Sequence, residues 1–158
     1  MAPKHFFELS TETLAGTTVI LDVDGTLLAD GASLLDPRTQ EMLSKLSDIA
    51  DVYLCSNAES PERLHTLIAG TRAKVTTSPY KKPDSRVLAH VPYDRHTCLV
   101  IGDKHLTDEL LAINCGMRFL KVARIRGEKE RIFVRLAYLL DAVFGKIVCS
   151  LARLLSRI

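Results

Sequence analysis

Tryptophan is absent from the 158 residues, and five phenylalanines with four tyrosines make up the aromatic complement. The basic residues lie among aliphatics, so there is no aromatic platform on which bases would stack, and nucleic acid is not an expected partner. Cysteine is sparse. Cys55, Cys98, Cys115 and Cys149 show no Cys-x-x-Cys spacing, and Cys55 and Cys98 fall inside apolar runs. They read as small buried hydrophobes in a reducing compartment, which excludes a disulfide framework. The five histidines are scattered and form no zinc motif. Met1 to Leu14 lack the apolar core of a signal peptide. No internal repeat or low-complexity segment interrupts the chain. The expected location is cytoplasmic, and the length suits one domain with a real core.

Charge is unevenly spread. Residues 1–117 carry 11 Lys/Arg against 16 Asp/Glu, whereas residues 118–158 carry 10 against 3. An acidic body with a basic tail predicts that the tail has a partner of its own.

Two acidic pairs carry the chemistry. Asp22 and Asp24, in Leu21-Asp22-Val23-Asp24-Gly25-Thr26, follow the β-branched run Thr17 to Leu21. Asp103 and Asp108 follow Cys98-Leu99-Val100-Ile101 and Gly102. Each run reads as a buried parallel strand with acids just past its carboxyl end. Ligands of open parallel sheets bind outside such ends, where strand order reverses, so two distant pairs can share one site. Taken alone, Asp-x-Asp-Gly is also an ordinary acidic turn; the second pair in matching context favours the site. Clustered carboxylates repel unless a hard cation such as Mg²⁺ sits among them. An acidic nucleophile beside Mg²⁺ is suited to moving phosphate.

Strand and helix signals alternate. Leu27 to Leu34, with Asp30-Gly31, reads as a hairpin or flap. A helix is expected over Pro37 to Ala50, a strand over Val52 to Cys55, and a helix from Ser60 to Ala69. A strand over Ala73 to Thr77, a short helix over Asp84 to His90 and a helix ending at Cys115 follow. Phe119 to Val122 completes five strands. This alternation predicts an α/β fold: one three-layer, doubly wound, Rossmann-like parallel sheet. Ser56-Asn57 stand after the second strand, where a hydroxyl and backbone amides can hold phosphate oxygens, or where a plain turn can sit. In Tyr80-Lys81-Lys82-Pro83-Asp84, a lysine fixed before proline can reach the phosphate, although loop lysines are commonly just solvated. His105, between Asp103 and Asp108, can touch substrate but reads more readily as a solvent-facing loop residue.

Asp-Val-Asp-Gly-Thr, Ser56, Lys82-Pro83 and Gly-Asp-(three residues)-Thr-Asp, in this order over residues 17–123, resemble the four motifs of the haloacid dehalogenase (HAD) superfamily. The resemblance implies that Asp22 attacks phosphorus and forms an aspartyl-phosphate. It implies that Asp24 protonates the leaving oxygen and then activates water. Ser56 and Lys82 would bind the transferring group, with Lys82 preferred to Lys81 because it directly precedes Pro83. Gly25, Thr26 and Asn57 complete the expected substrate-binding set. Mg²⁺ would be held by Asp22, the Asp24 carbonyl and Asp103, with Asp108 in support. Asp24 favours ester hydrolysis over dehalogenation. Only 33 residues separate Asp22 from Ser56, and 25 separate Ser56 from Lys82. That leaves little room for a cap, and an uncapped site is open, so the substrate must be large, membrane-bound or enclosed by a second subunit.

The catalytic domain is expected over residues 1–124 and a tail over 125–158. From Glu128 to Ile158 runs one helical pattern without proline. Arg131, Arg135, Lys146, Arg153 and Arg157 fall in a stripe, aliphatics fill most of the remainder, and Gly145 is a point of division. Arg135, Asp141 and Lys146 break any apolar span of membrane length. A basic stripe beside an apolar face suits a helix lying on an anionic lipid surface at the inner face of the membrane. Packing on the core or in a homo-oligomer is the competing expectation. The texture around Asp103 to Gly116 resembles the capless phosphatidylglycerophosphate phosphatase-like branch, which implies a phospholipid substrate. Gly25 departs from the asparagine common there. A soluble oligomeric phosphatase of a sugar phosphate or nucleotide is the alternative, and a non-enzymatic scaffold the third reading.

Overall fold

In the computed structural model, residues 2–30, 32–57, 60–127 and 132–156 are described. Five parallel strands form one sheet: β1 (Thr18–Leu21), β2 (Asp51–Leu54), β3 (Lys74–Val75), β4 (Cys98–Gly102) and β5 (Arg118–Lys121). Their order is β3-β2-β1-β4-β5, so the chain winds outward from β1 and then returns to its other side. The reversal falls between β1 and β4, where Leu21 pairs with Ile101. That is the switch point at which a ligand crevice opens.

Alternation along the strands makes two cores. Val19 and Leu21 join Phe6, Leu43 and Leu46 on one face. Ile20 joins Val87, Val100 and Leu111 on the other. Helix α1 (Pro37–Ile49) is started by Asp36, whose carboxylate accepts from the Arg38 and Thr39 amides. Helices α2 (Pro61–Leu67) and α3 (Leu110–Cys115) complete the layers. Among the described residues there is no cap domain.

Several local expectations change. Asp24 and Leu28 form a single parallel bridge, and no hairpin follows among the described residues of the expected flap. The third strand shrinks to two residues because β2 alone pairs with it. The expected helix near His90 is a 3-10 turn, Ser85–Leu88, capped by Asp84; the valine before Pro92 disfavours helix. His105 is not solvent-facing. It opens a π turn (His105–Glu109), pairs with Glu109, and has a side chain only 12% exposed.

The tail is α4 (Ile132–Leu140), a π turn (Asp141–Gly145) and α5 (Lys146–Leu155), with right-handed helical backbone at Leu140, Gly145 and Lys146. Gly145 therefore does not divide it. Arg131 and Arg157 of the expected stripe lie outside the described residues. One face is docked: Asp141, Gly145 and Cys149 are buried and Tyr138 half-buried. The Cys149 thiol donates to the His105 carbonyl (3.3 Å), and Arg153 pairs with Glu109. The opposite face is bare apolar surface, with Ile132 76%, Phe133 79% and Leu155 70% exposed. Among the described residues, no helix is long and apolar enough to cross a membrane.

Candidate active site

The acidic pairs meet at the switch point. The Asp22 amide donates to the Ile101 carbonyl (2.9 Å), which ties the end of β1 to the end of β4. Gly102 closes β4, and a β-carbon there would overlap the Asp108 side chain. The missing side chain lets Asp108 fold back under the strand. Asp22, Asp103 and Asp108, all buried, each offer an oxygen within 4.8 Å of the others.

Lys82 joins them. Its Nζ lies 2.5 Å from Asp22 Oδ1 and 2.6 Å from Asp108 Oδ1. Burial alone would lower its pKa, but the Asp108 and Asp22 carboxylates outweigh burial and hold it well above the usual lysine value. It is an ammonium at any physiological pH. Asn57 fixes it in place: its Oδ1 accepts from the Lys82 amide (2.8 Å) and its Nδ2 donates to the Lys82 carbonyl (2.9 Å). Lys81 is exposed. Thr26 was expected against substrate but is fully buried, and its hydroxyl donates to Asp22 Oδ2 (3.0 Å). Both Asp22 oxygens are thus oriented, one by Lys82 and one by Thr26.

Asp24 turns the other way and accepts from the Ser56 hydroxyl (3.2 Å). Burial, and then the Asp22 charge, raise its carboxyl above the ordinary value, while Ser56 works against them. These groups enclose a cleft of about 70 Å³, whose rim includes Asp30, Lys104 and Thr107. Hollows at Gly16 and Arg72, and at Phe7 and Lys45, lie away from these strand ends, and their acids, Asp48, Asp51, Glu12 and Glu41, are exposed.

The donor set fits a hard cation. Asp103 is buried, neither of its carboxylate oxygens makes a well-formed hydrogen bond, and burial followed by Asp22 pushes its carboxyl up to about 7. A buried carboxylate with no well-formed hydrogen bond, beside two others, calls for positive charge, and all-oxygen donors suit Mg²⁺. The Asp24 carboxylate is not one of the three that gather here. Asp108 is committed to Lys82 and to the Lys104 amide (3.1 Å).

Two residues from the tail escaped the sequence reading. The Tyr138 hydroxyl reaches the Asp24 carbonyl (3.4 Å), and its ring lies under Arg124 and Lys104. Asp141 accepts from the His105 amide (3.0 Å) and the Leu106 amide (2.7 Å), which holds the turn that carries Asp108. The signal was present: Asp141 is the one acid between residues 131 and 158, three positions after a tyrosine among aliphatics.

No family model matches this chain, and no curated protein sequence matches it. Solved structures do. YfnB from Bacillus subtilis, described provisionally as a HAD-hydrolase and solved with magnesium bound, superposes with a TM-score of 0.50 at 15% identity. The match covers 80% of this chain and 99% of that one. An uncharacterized protein from Listeria monocytogenes serotype 4b gives 0.52 at 18% identity, over 65% of this chain and 76% of that one. The chain shares the fold of these proteins. At such identities the likeness speaks for the fold alone, and the chemistry must be argued from the residues.

Proposed function

We propose that the chain is a Mg²⁺-dependent phosphomonoester hydrolase working through an aspartyl-phosphate on Asp22. The observation that carries this is the Lys82 ammonium set between Asp22 and Asp108, at the floor of a cleft walled by Asp24 and Ser56. An Asp22 oxygen attacks phosphorus and the ester P–O bond breaks. The raised pKa of Asp24 keeps its proton available, and the leaving alkoxide takes it. The resulting Asp24 carboxylate then takes a proton from water, which attacks phosphorus and releases inorganic phosphate. Asp22 is regenerated and Asp24 is again protonated. Lys82 and Ser56 line the space where phosphoryl oxygens gather. Mg²⁺ held at Asp22, Asp103 and the Asp24 carbonyl would neutralise charge on those oxygens.

The substrate proposed is a membrane lipid phosphate such as phosphatidylglycerophosphate, as the motif resemblance implies, with residues 1–124 as the catalytic unit and 125–158 as a tail on the lipid surface. Its support is the bare apolar face of α4 and α5, bordered by Arg135 and Lys146. The same face also suits a subunit interface, which favours the soluble oligomeric reading second. The test is phosphate release with Mg²⁺ from phosphatidylglycerophosphate in mixed micelles, beside a panel of soluble esters. Preference for the lipid, lost in Asp22→Asn, is expected. Activity confined to soluble esters, together with a defined multimer, transfers the proposal to the oligomeric enzyme. No turnover on any ester overturns it.

A further inference from the structure

The cleft at Asp22 has a volume of about 70 Å³, little more than a phosphoryl group fills, so a side chain that lines it meets that group. Lys82 and Lys104 are the cations among its lining residues. Lys82 is committed to Asp22 and Asp108. Lys104 is held differently. Its amide donates to Asp108 Oδ2 (3.1 Å), and its carbonyl accepts from the Glu109 amide (3.3 Å), which fixes where the side chain leaves the turn. Its ammonium ends 4.6 Å from the centre of the Tyr138 ring. Among the described residues, no carboxylate forms an ion pair with that ammonium. A ring face attracts the charge without consuming the N–H donors, so an anion can bind there with no ion pair to break.

The charge balance of the cleft shows what the ammonium is for. With Asp24 protonated, as the first step requires, Asp22, Asp103 and Asp108 remain as carboxylates, and Lys82 with one divalent cation offsets them. A phosphate monoester then brings up to about two further negative charges near neutral pH. Uncompensated charge in so confined a space is costly. Lys104 is the lining cation left to meet it. Burial raises the Asp103 and Asp24 carboxyls, and the Lys104 charge pulls both back, so its field already reaches both acids.

We propose that Lys104 is a second phosphate-binding cation of this site, donating from Nζ to an oxygen of the transferring phosphoryl group while Lys82 holds Asp22 and Asp108. The assignment rests on the phosphomonoesterase reading and deepens it. Lys104 is one of the unassigned residues between Asp103 and Thr107 in the motif; here it becomes a substrate contact, positioned by the tail through Tyr138.

The test pairs binding with turnover. Lys104→Met keeps an unbranched stem over the Tyr138 ring and removes the charge. Calorimetry with inorganic phosphate and Mg²⁺ reads the contact without any chemical step. The variant is expected to raise Kd for inorganic phosphate by about tenfold. KM for p-nitrophenyl phosphate should rise by a similar factor, with kcat changing less. A Mn²⁺ titration without phosphate checks that the acids are intact, because losing a neighbouring positive charge should leave Mn²⁺ binding equal or tighter. No phosphate binding by the wild type, or equal affinity in Lys104→Met, overturns the assignment. So does weaker Mn²⁺ binding in that variant, because the lysine would then support the acids rather than meet phosphate. Phosphate binding that Lys104→Met weakens, in a protein that hydrolyses no ester, upholds the contact and defeats the hydrolase reading. Hydrolysis with a KM indifferent to Lys104→Met does the reverse.

Discussion

The hydroxyl of Tyr138 occupies the space that a β-carbon on Gly25 would need. An alanine there would overlap both that hydroxyl and the Asp103 carboxylate, and the Gly25 backbone has φ of 88°. Where the resembling branch commonly carries asparagine, this chain needs glycine because its tail delivers a tyrosine to the same point. Gly25→Ala is expected to lower stability by about 1–2 kcal/mol from the left-handed backbone alone, with the overlap adding to that. Adding Tyr138→Ala should recover part of the loss, because one overlapping group is gone. Thermal melts of the two single variants and the double variant measure this, and strictly additive losses would argue against the contact.

Tyr138 also bears on the cation site. Burial, and then the neighbouring Asp103 charge, push the phenol up, so it stays a neutral donor beside Asp103 and the Asp24 carbonyl. Such donors orient the oxygens that meet a metal, and removing one typically weakens metal binding by about 10-fold or more. Tyr138→Phe should therefore bind Mn²⁺ more weakly by about that factor while its melting temperature moves little. Tighter binding would mean that the hydroxyl competes with the ion instead.

How much of this was legible in the sequence depends on distance along the chain. The two acidic strand ends could be read because β-branched runs stopped by Asp and Gly have few other uses, and they led directly to Asp22, Asp24, Asp103 and Asp108. Lys82 followed from one neighbour, Pro83. Thr26 and Asn57 were placed in the site, but their contacts with Asp22 and Lys82 were not foreseen, since sequence says that a polar group will be satisfied and not by whom. His105 was misread for a related reason. The amides of its turn need acceptors, and those come from Asp141, 36 residues onward. On a helical wheel Asp141 looked only like an interruption of an apolar face. In the folded chain, Tyr138 and Asp141 are among the polar contacts of the docked face, with Cys149 and Arg153.

The pH dependence of stability should change sign with the metal. Asp103 titrates near 3.8 when unfolded and is pushed up to about 7 when folded, by burial and then by Asp22. The folded, cation-free protein therefore binds the extra proton in that window. The contribution of Asp103 is complete below the lower value and is lost as pH rises through the upper one. A bound cation needs the carboxylate, so it opposes that loss. Mg²⁺ should raise the melting temperature clearly at about pH 8 and hardly at about pH 5. An equal rise at both would exclude Asp103 as the group concerned.

Asp141 tests whether the tail helps build the site. Its two oxygens accept from the His105 and Leu106 amides, in the turn whose Asp108 meets Lys82. Asp141→Ala leaves two amides at a covered turn without acceptors, at a cost of about 2–3 kcal/mol. Asp141→Asn keeps one carbonyl oxygen and should fall between. A merely structural role would lower stability in both variants and leave the remaining folded enzyme fully active. A role in holding Asp108 predicts more. Lys82 would lose part of its anchoring, so kcat per folded molecule should fall from wild type to Asp141→Asn to Asp141→Ala, with KM for a small ester changing less. Rates normalised to the folded fraction, read at a temperature well below each melt, separate the two. Unchanged normalised kcat in Asp141→Ala would mean that the helix only rests against the site.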